Sequence, residues 1–166
     1  MTTLLDLCQL VYDWPLATAL RESDDVFPLI ETAHVLAICL IVGTVVTVDL
    51  RLLGLIMREQ PVTQIARTLL PLTWYGFALM FVTGVPLFAA ESLELYGNPA
   101  FRLKLVLLLI AGCNALLFHR TVYRSVDAWD KHTNTPLGVK AFASVSILLW
   151  SGIVVAGRLI AVFHVH

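Results

Sequence analysis

The chain is short of charge, short of cysteine and without a glycine-rich loop, and each shortage removes a class of function. Charged residues make up 14% of 166 positions and balance to a formal net charge of −1. With no basic tract and no phosphate-cradling loop, nothing in the sequence supports binding to nucleic acid or to a nucleotide. Three cysteines, Cys8, Cys39 and Cys113, lack Cys-x-x-Cys spacing, so a disulfide framework is not expected. Two of them fall in apolar sequence, where a free thiol behaves as a small hydrophobe. Ser144, Ser146 and Ser151 share their stretch with no histidine or carboxylate, which leaves hydrolase chemistry without support. No basic residue precedes Arg21, so the charged start of a cleaved signal peptide is missing and residues 1–20 are expected to stay on the mature protein.

Apolar residues are what the chain has in excess. They form 58% of it, and the mean hydropathy is +0.83, against about 45–50% apolar usage in soluble domains. They concentrate in four stretches, near 27–48, 69–90, 101–119 and 141–163. Each approaches the ~20 residues that a helix needs to cross the hydrocarbon of a bilayer. The expected fold is all-α, an integral membrane four-helix transmembrane bundle over 26–166, preceded by an N-terminal interfacial segment over 1–25. In that segment Leu4, Leu5, Cys8, Val11 and Tyr12 recur at helical spacing until Trp14-Pro15 interrupts them, which suits a short amphipathic helix on the bilayer surface.

The connections give punctuation and orientation. Ser23, Asp24 and Asp25 are suitable caps for the first membrane helix, and Gly97-Asn98-Pro99 should separate the second from the third. Seven of the eleven Lys and Arg residues, Arg51, Arg58, Arg67, Arg120, Arg124, Lys131 and Lys140, fall in the first and third connections. Basic residues accumulate on the cytoplasmic side, so both termini are expected outside, in the periplasm of a bacterial inner membrane. Gly152 and Ala156 form a small-xxx-small pair, a mark of close helix packing within the bundle or between protomers of a homo-oligomer. Gly76, Gly84 and Pro86 could bend the second helix.

A few ionisable residues interrupt the apolar stretches, and charge at bilayer depth requires a reason. With the expected orientation, Glu31 and His34 of the first helix, Lys104 of the third and Arg158 of the fourth lie in the outer half and are expected to form one network. His34 could ligate haem iron, Glu31 could orient the imidazole or relay a proton, and Lys104 and Arg158 could neutralise the propionates of haem b or the charge of a reduced quinone. A second axial ligand is harder to find: His164 and His166 are on the correct side but ~7–10 Å nearer water by helical rise, and Met80 falls near mid-bilayer. His119 and His132 are on the other face. Glu31-x-x-His34 has the spacing of di-iron bundles, yet only one copy exists where two are needed. A polar lock without any cofactor accounts for the same residues. At the other face, Asp49 is expected to accept from Asn114 or to pair with an arginine, as an architectural staple near water.

The stretches Glu31-Thr-Ala-His34, Val48-Asp49-Leu-Arg51-Leu-Leu-Gly54, Thr83-Gly84, Asn98-Pro-Ala-Phe-Arg-Leu-Lys104 and Gly157-Arg158-Leu-Ile resemble a family of uncharacterised bacterial four-helix inner-membrane proteins, over residues 26 to 163. Members are described as similar to the copper-resistance D membrane protein and to small b-type cytochromes. The resemblance implies a four-helix bundle and no established activity. It departs from dihaem four-helix cytochromes, which pair histidines on facing helices at two levels. The resulting expectation is a small membrane protein in which His34, Glu31, Lys104, Arg158 and His164 surround haem b, with a quinone as the alternative cofactor, in an electron-transfer setting. Its partners would be the lipid bilayer and a redox partner. The competing expectation is a non-redox accessory subunit of a larger membrane complex. A transporter is disfavoured, because no inverted repeat or broken-helix pair is present.

Overall fold

The computed structural model describes residues 3–130 and 135–163; His164, like His132 and His166, lies outside them. Among the described residues every regular element is helical. Two short helices, α1 (Leu4–Tyr12) and α2 (Pro15–Arg21), precede four long ones: α3 (Val26–Leu52), α4 (Val62–Gly97), α5 (Pro99–Thr121) and α6 (Leu137–Phe163). A short 3₁₀ helix, Tyr123–Ala128, follows α5. All four long helices are long and apolar enough to cross a membrane.

Each long helix runs past its apolar stretch. The residues 49–52 and 62–68, too polar to belong to a hydrophobic window, remain helical. Backbone hydrogen bonding continues past the apolar windows, so hydropathy marks the apolar length and not the ends of the helix. At 1.5 Å per residue the 36 residues of α4 would span ~54 Å, against ~30 Å of hydrocarbon. Its far end is set off by Glu91, whose φ of −121° and ψ of 18° break the helical path. The bend therefore falls at Glu91, and not at the expected residues 76, 84 and 86.

Chain punctuation follows local chemistry. Ser23, rather than the carboxylates beside it, caps α3, its Oγ accepting from the Val26 amide at 3.1 Å. Asn98 caps α5, its Oδ1 accepting from the Ala100 and Phe101 amides at 3.0 and 3.2 Å, with Pro99 at the first helical position, where no N–H is needed. The Asn98 Nδ2 donates to the Ile160 carbonyl at 3.1 Å and so ties the start of α5 to the end of α6.

The packing is a chain of pairs: α3 lies along α4, α5 lies along α6, and α3 touches α6, whereas α4 and α5 barely meet. Glycine sets the closest approaches. A Cβ on Gly76 would sit 2.8 Å from Ile41 Cγ1 and 3.5 Å from the Ala37 carbonyl, both on α3. Ile41 is fully buried and packs with Ala111, Trp150 and Ile153, so it has nowhere to retreat. Gly76→Ala should therefore cost about 1–3 kcal/mol by overpacking, read as a lower thermal midpoint in detergent; an unchanged midpoint would show that α3 and α4 are not held this tightly. A Cβ on Gly152 would meet Leu107 Cδ1 at 3.2 Å, and Ala156 is buried, so the small-residue pair of α6 is spent inside the bundle.

The N-terminal helices are not a detached surface segment. They dock on α4 beside its break: Ser92 Oγ donates to the Cys8 carbonyl at 2.9 Å, and Arg21 donates to the Ala90 carbonyl at 3.2 Å with its guanidinium 3.8 Å above the Tyr12 ring. Ala90 and Ser92 are fully buried by this contact. Leu4, Leu7, Leu10 and Leu16 remain exposed, which suits a helical pair lying in the bilayer interface. At the tip of α1, Thr3 caps the helix and holds the Asp6 carboxyl below the usual carboxylate range by hydrogen bonding.

Candidate functional site

His34 projects from α3 towards α4. Its Nδ1 lies 2.9 Å from Thr83 Oγ1, and the Met80 carbonyl is its other polar neighbour. The Thr83 hydroxyl donates its own proton to the Leu79 carbonyl at 2.7 Å. A hydroxyl whose proton is committed to Leu79 favours the tautomer with the proton on Nδ1, and no hydrogen bond engages Nε2 among the described residues. An oxygen partner on one ring nitrogen that leaves the other free is the usual arrangement of a ligating histidine.

One glycine makes room beside this ring. A Cβ on Gly84 would stand 3.0 Å from His34 Cε1 and 3.5 Å from Nδ1, so only glycine lets the imidazole lie against α4 here. On α6, a Cβ on Gly157 would come 4.0 Å from Lys104 Nζ. Lys104 thus reaches from α5 across to α6, half-buried and near enough to His34 for its charge to act on the ring. Among the described residues it has no hydrogen-bond acceptor and no carboxylate partner.

The expected network is therefore narrower than the spacing suggested. Lys104 lies close enough to His34 for its charge to act on the ring, without a contact between them; Glu31 and Arg158 are exposed and make no polar contact with the described residues. Helical spacing placed Glu31 on the face of His34, but the second turn of α3 lies beyond the packed part of the bundle. The orienting group is Thr83, which sequence reasoning passed over apart from its place in the Thr83-Gly84 pair. Met80, weighed as a thioether ligand, packs its side chain against the core around Ile41 and Trp150. His164 lies outside the described residues, and no group of three metal-ligating side chains occurs among them.

The opposite end of the bundle holds a second polar centre that is buried rather than wet. Arg51 is 1% exposed, donates from Nε to the Gln60 carbonyl at 2.9 Å and feels the charge of Asp130. Asp130 accepts from the Thr63 amide at 3.0 Å and from its hydroxyl at 2.5 Å, which joins the connection after α5 to the start of α4. Asp49 is also buried and meets Ser146 of α6, while Asn114 donates to the Phe142 carbonyl at 3.3 Å. The expected Asp49–Asn114 contact is thus replaced by two separate ties to α6, and the staple lies in the interior because the two long connections fold over it.

With this geometry the chain can be compared with known families. A family model described as "Family of unknown function (DUF6644)" matches residues 26–163, nearly the whole chain after α2. The chain belongs to that family. No curated protein and no solved structure matches it. The matched span begins with α3 and includes His34, Thr83, Gly84, Lys104 and Gly157. The docked α1–α2 pair stands outside the span.

Proposed function

We propose that the pocket around His34 and Lys104 holds haem b and that the protein serves electron transfer in a bacterial inner membrane, both termini facing the periplasm. The observation that carries this reading is an imidazole with no hydrogen bond at Nε2, close enough to feel the charge of an ammonium that has no anion among the described residues. A buried cation calls for an anion, and a propionate is one that a haem brings with it. His34 Nε2 would hold the iron, Thr83 would fix the ring and its tautomer, Lys104 would neutralise a propionate, and Gly84 leaves the ring its space against α4. Bound there, the group would supply a one-electron couple. Among the described residues His34 would be the donor to the iron, and no group of three metal-ligating side chains stands with it.

One observation favours a quinone instead. Because α4 barely touches α5, the helices that carry His34's neighbours and Lys104 are not packed against each other, and a flat apolar ring could enter between them from lipid, the phase in which quinones dissolve. Lys104 would donate to a quinone oxygen, and His34 Nε2 would accept a quinol proton.

The deciding measurement is the visible spectrum, oxidised and dithionite-reduced, of the detergent-purified protein and of His34→Ala. A Soret band with reduced α and β bands, lost in the variant, is expected. A flat spectrum from haem-replete cells would overturn the haem assignment; quinone in a lipid extract would then favour the second reading. Co-purifying subunits without either would favour an accessory role in a larger complex.

A further inference from the structure

A separate pocket lies at the Arg51 end, between the last turns of α3, the connection that follows and the first turns of α4. It encloses about 180 Å³ and is lined by Thr47, Met57, Gln60, Gln64, Ile65, Thr68 and Leu69. Its lining is graded. Ile65 and Leu69 supply apolar wall at the start of the apolar stretch of α4, and Met57 closes the loop side. Gln60, Gln64, Thr47 and Thr68 supply amide and hydroxyl groups. The two threonines donate to their own helices, Thr47 to the Gly43 carbonyl at 2.7 Å and Thr68 to the Gln64 carbonyl at 3.1 Å, so their oxygens face outward as acceptors. The side chains of Gln60 and Gln64 are exposed and have no hydrogen-bond partner among the described residues, leaving four N–H donors free.

Two arginines stand beside this lining. Arg58 follows Met57 and is anchored by its Nε on the Gly54 carbonyl, which leaves its terminal nitrogens uncommitted. Arg67 is exposed on α4, three residues from Gln64 and therefore on a neighbouring face. The loop that carries Arg58 is held in an unusual conformation: Gly54 has φ of 74° and Met57 has φ of 47°, a left-handed value that a methionine rarely adopts. Strain of this kind persists where the surroundings dictate it, and here it places Met57 on the pocket rim.

We infer that this pocket binds the headgroup of an anionic phospholipid of the adjacent leaflet, one acyl chain descending past Ile65 and Leu69. The depth is that of headgroups, because residue 69 begins the apolar stretch and residues 57–68 lie beyond it. The charge around the lining is net positive: Arg58 and Arg67 flank it in sequence against the one carboxylate of Glu59, and no acidic side chain lines the pocket itself. The amides and hydroxyls suit the glycerol hydroxyls of phosphatidylglycerol, which a zwitterionic choline headgroup does not present. The site is independent of His34, which lies at the other end of α3.

Native mass spectrometry of the full chain, delipidated in detergent and titrated with phosphatidylglycerol or phosphatidylcholine, tests this. One tight phosphatidylglycerol adduct is expected, favoured about tenfold or more over phosphatidylcholine, as two charged contacts would give at ~1 kcal/mol each. The preference should fall in the double variant Arg58→Ala/Arg67→Ala and survive in Arg58→Lys/Arg67→Lys. Gln64→Leu/Thr68→Val should weaken the adduct while leaving the thermal midpoint near that of the parent. Equal binding of the two lipids, a preference untouched by both the alanine pair and the pocket pair, or displacement by millimolar inorganic phosphate would each overturn the assignment.

Discussion

Arg51→Ala is expected to lower the stability of the bundle more than any other single change considered, by about 3–5 kcal/mol. The guanidinium is 1% exposed and sits where three segments converge: its Nε holds the Gln60 carbonyl, and its charge faces Asp130, which in turn holds the start of α4 through Thr63. Removing it leaves the Gln60 carbonyl without its donor and the buried Asp130 without a nearby positive charge, and empties the space of a 1% exposed side chain. Arg51→Met fills most of the volume and should lose less, because the packing is kept while the polar ties are lost. Arg51→Lys keeps the charge but cannot reproduce the planar fork. Thermal midpoints in one detergent, compared across the three variants, should rank Met and Lys above Ala. If alanine left the midpoint unchanged, the guanidinium would not be the tie that closes this end.

On the proposed haem reading, Thr83→Val should lower haem retention about 10–100-fold, the usual effect of removing the partner of a ligating histidine. Valine preserves volume but supplies no acceptor for His34 Nδ1–H. The ring could then rotate or change tautomer and withdraw the Nε2 lone pair from the pocket. Because Thr83 is also a buried core position, loss of cofactor could come from poor packing alone. Thr83→Ser separates the two: it restores the hydroxyl while leaving out the methyl group, so a positioning role predicts rescue of the spectrum and a packing role predicts none. The midpoint potential is a second readout, since a weaker hydrogen bond to the imidazole makes it a poorer donor to iron. Full retention in Thr83→Val, with an unshifted potential, would remove Thr83 from the site.

The two ends of the bundle illustrate what hydropathy can and cannot find. His34 and Lys104 stand out in sequence because they interrupt apolar runs, and the structure leaves both half-buried, with the Lys104 charge acting on the ring. Glu31 and Arg158 interrupt the same runs and stay apart, exposed near the helix ends where water or headgroups can solvate them. Thr83 gives no hydropathy signal, yet its hydroxyl favours one tautomer of His34. A threonine four residues after Leu79 is ordinary in a membrane helix; only the position of α3 against α4 gives its lone pair a partner.

By itself the sequence determined the four spanning helices, their antiparallel order, the stop at Asn98-Pro99 and the residue types from which a polar site could be built. Those properties depend on local chemistry: apolar length, capping side chains and proline placement act over a few residues. The tertiary structure decided the rest. It selected His34, Thr83 and Lys104 from a larger set of polar residues, spent Gly76 and Gly84 on close helix contact instead of a bend, docked α1 and α2 at the break after Ala90, and buried Arg51 under two connections. Each of these outcomes depends on how one helix is rotated against another, which hydrophobicity leaves nearly free in a bilayer because lipid and leucine are equally apolar. What fixes the rotation is short-range: the space left by a glycine, and the need of each buried polar atom for a partner.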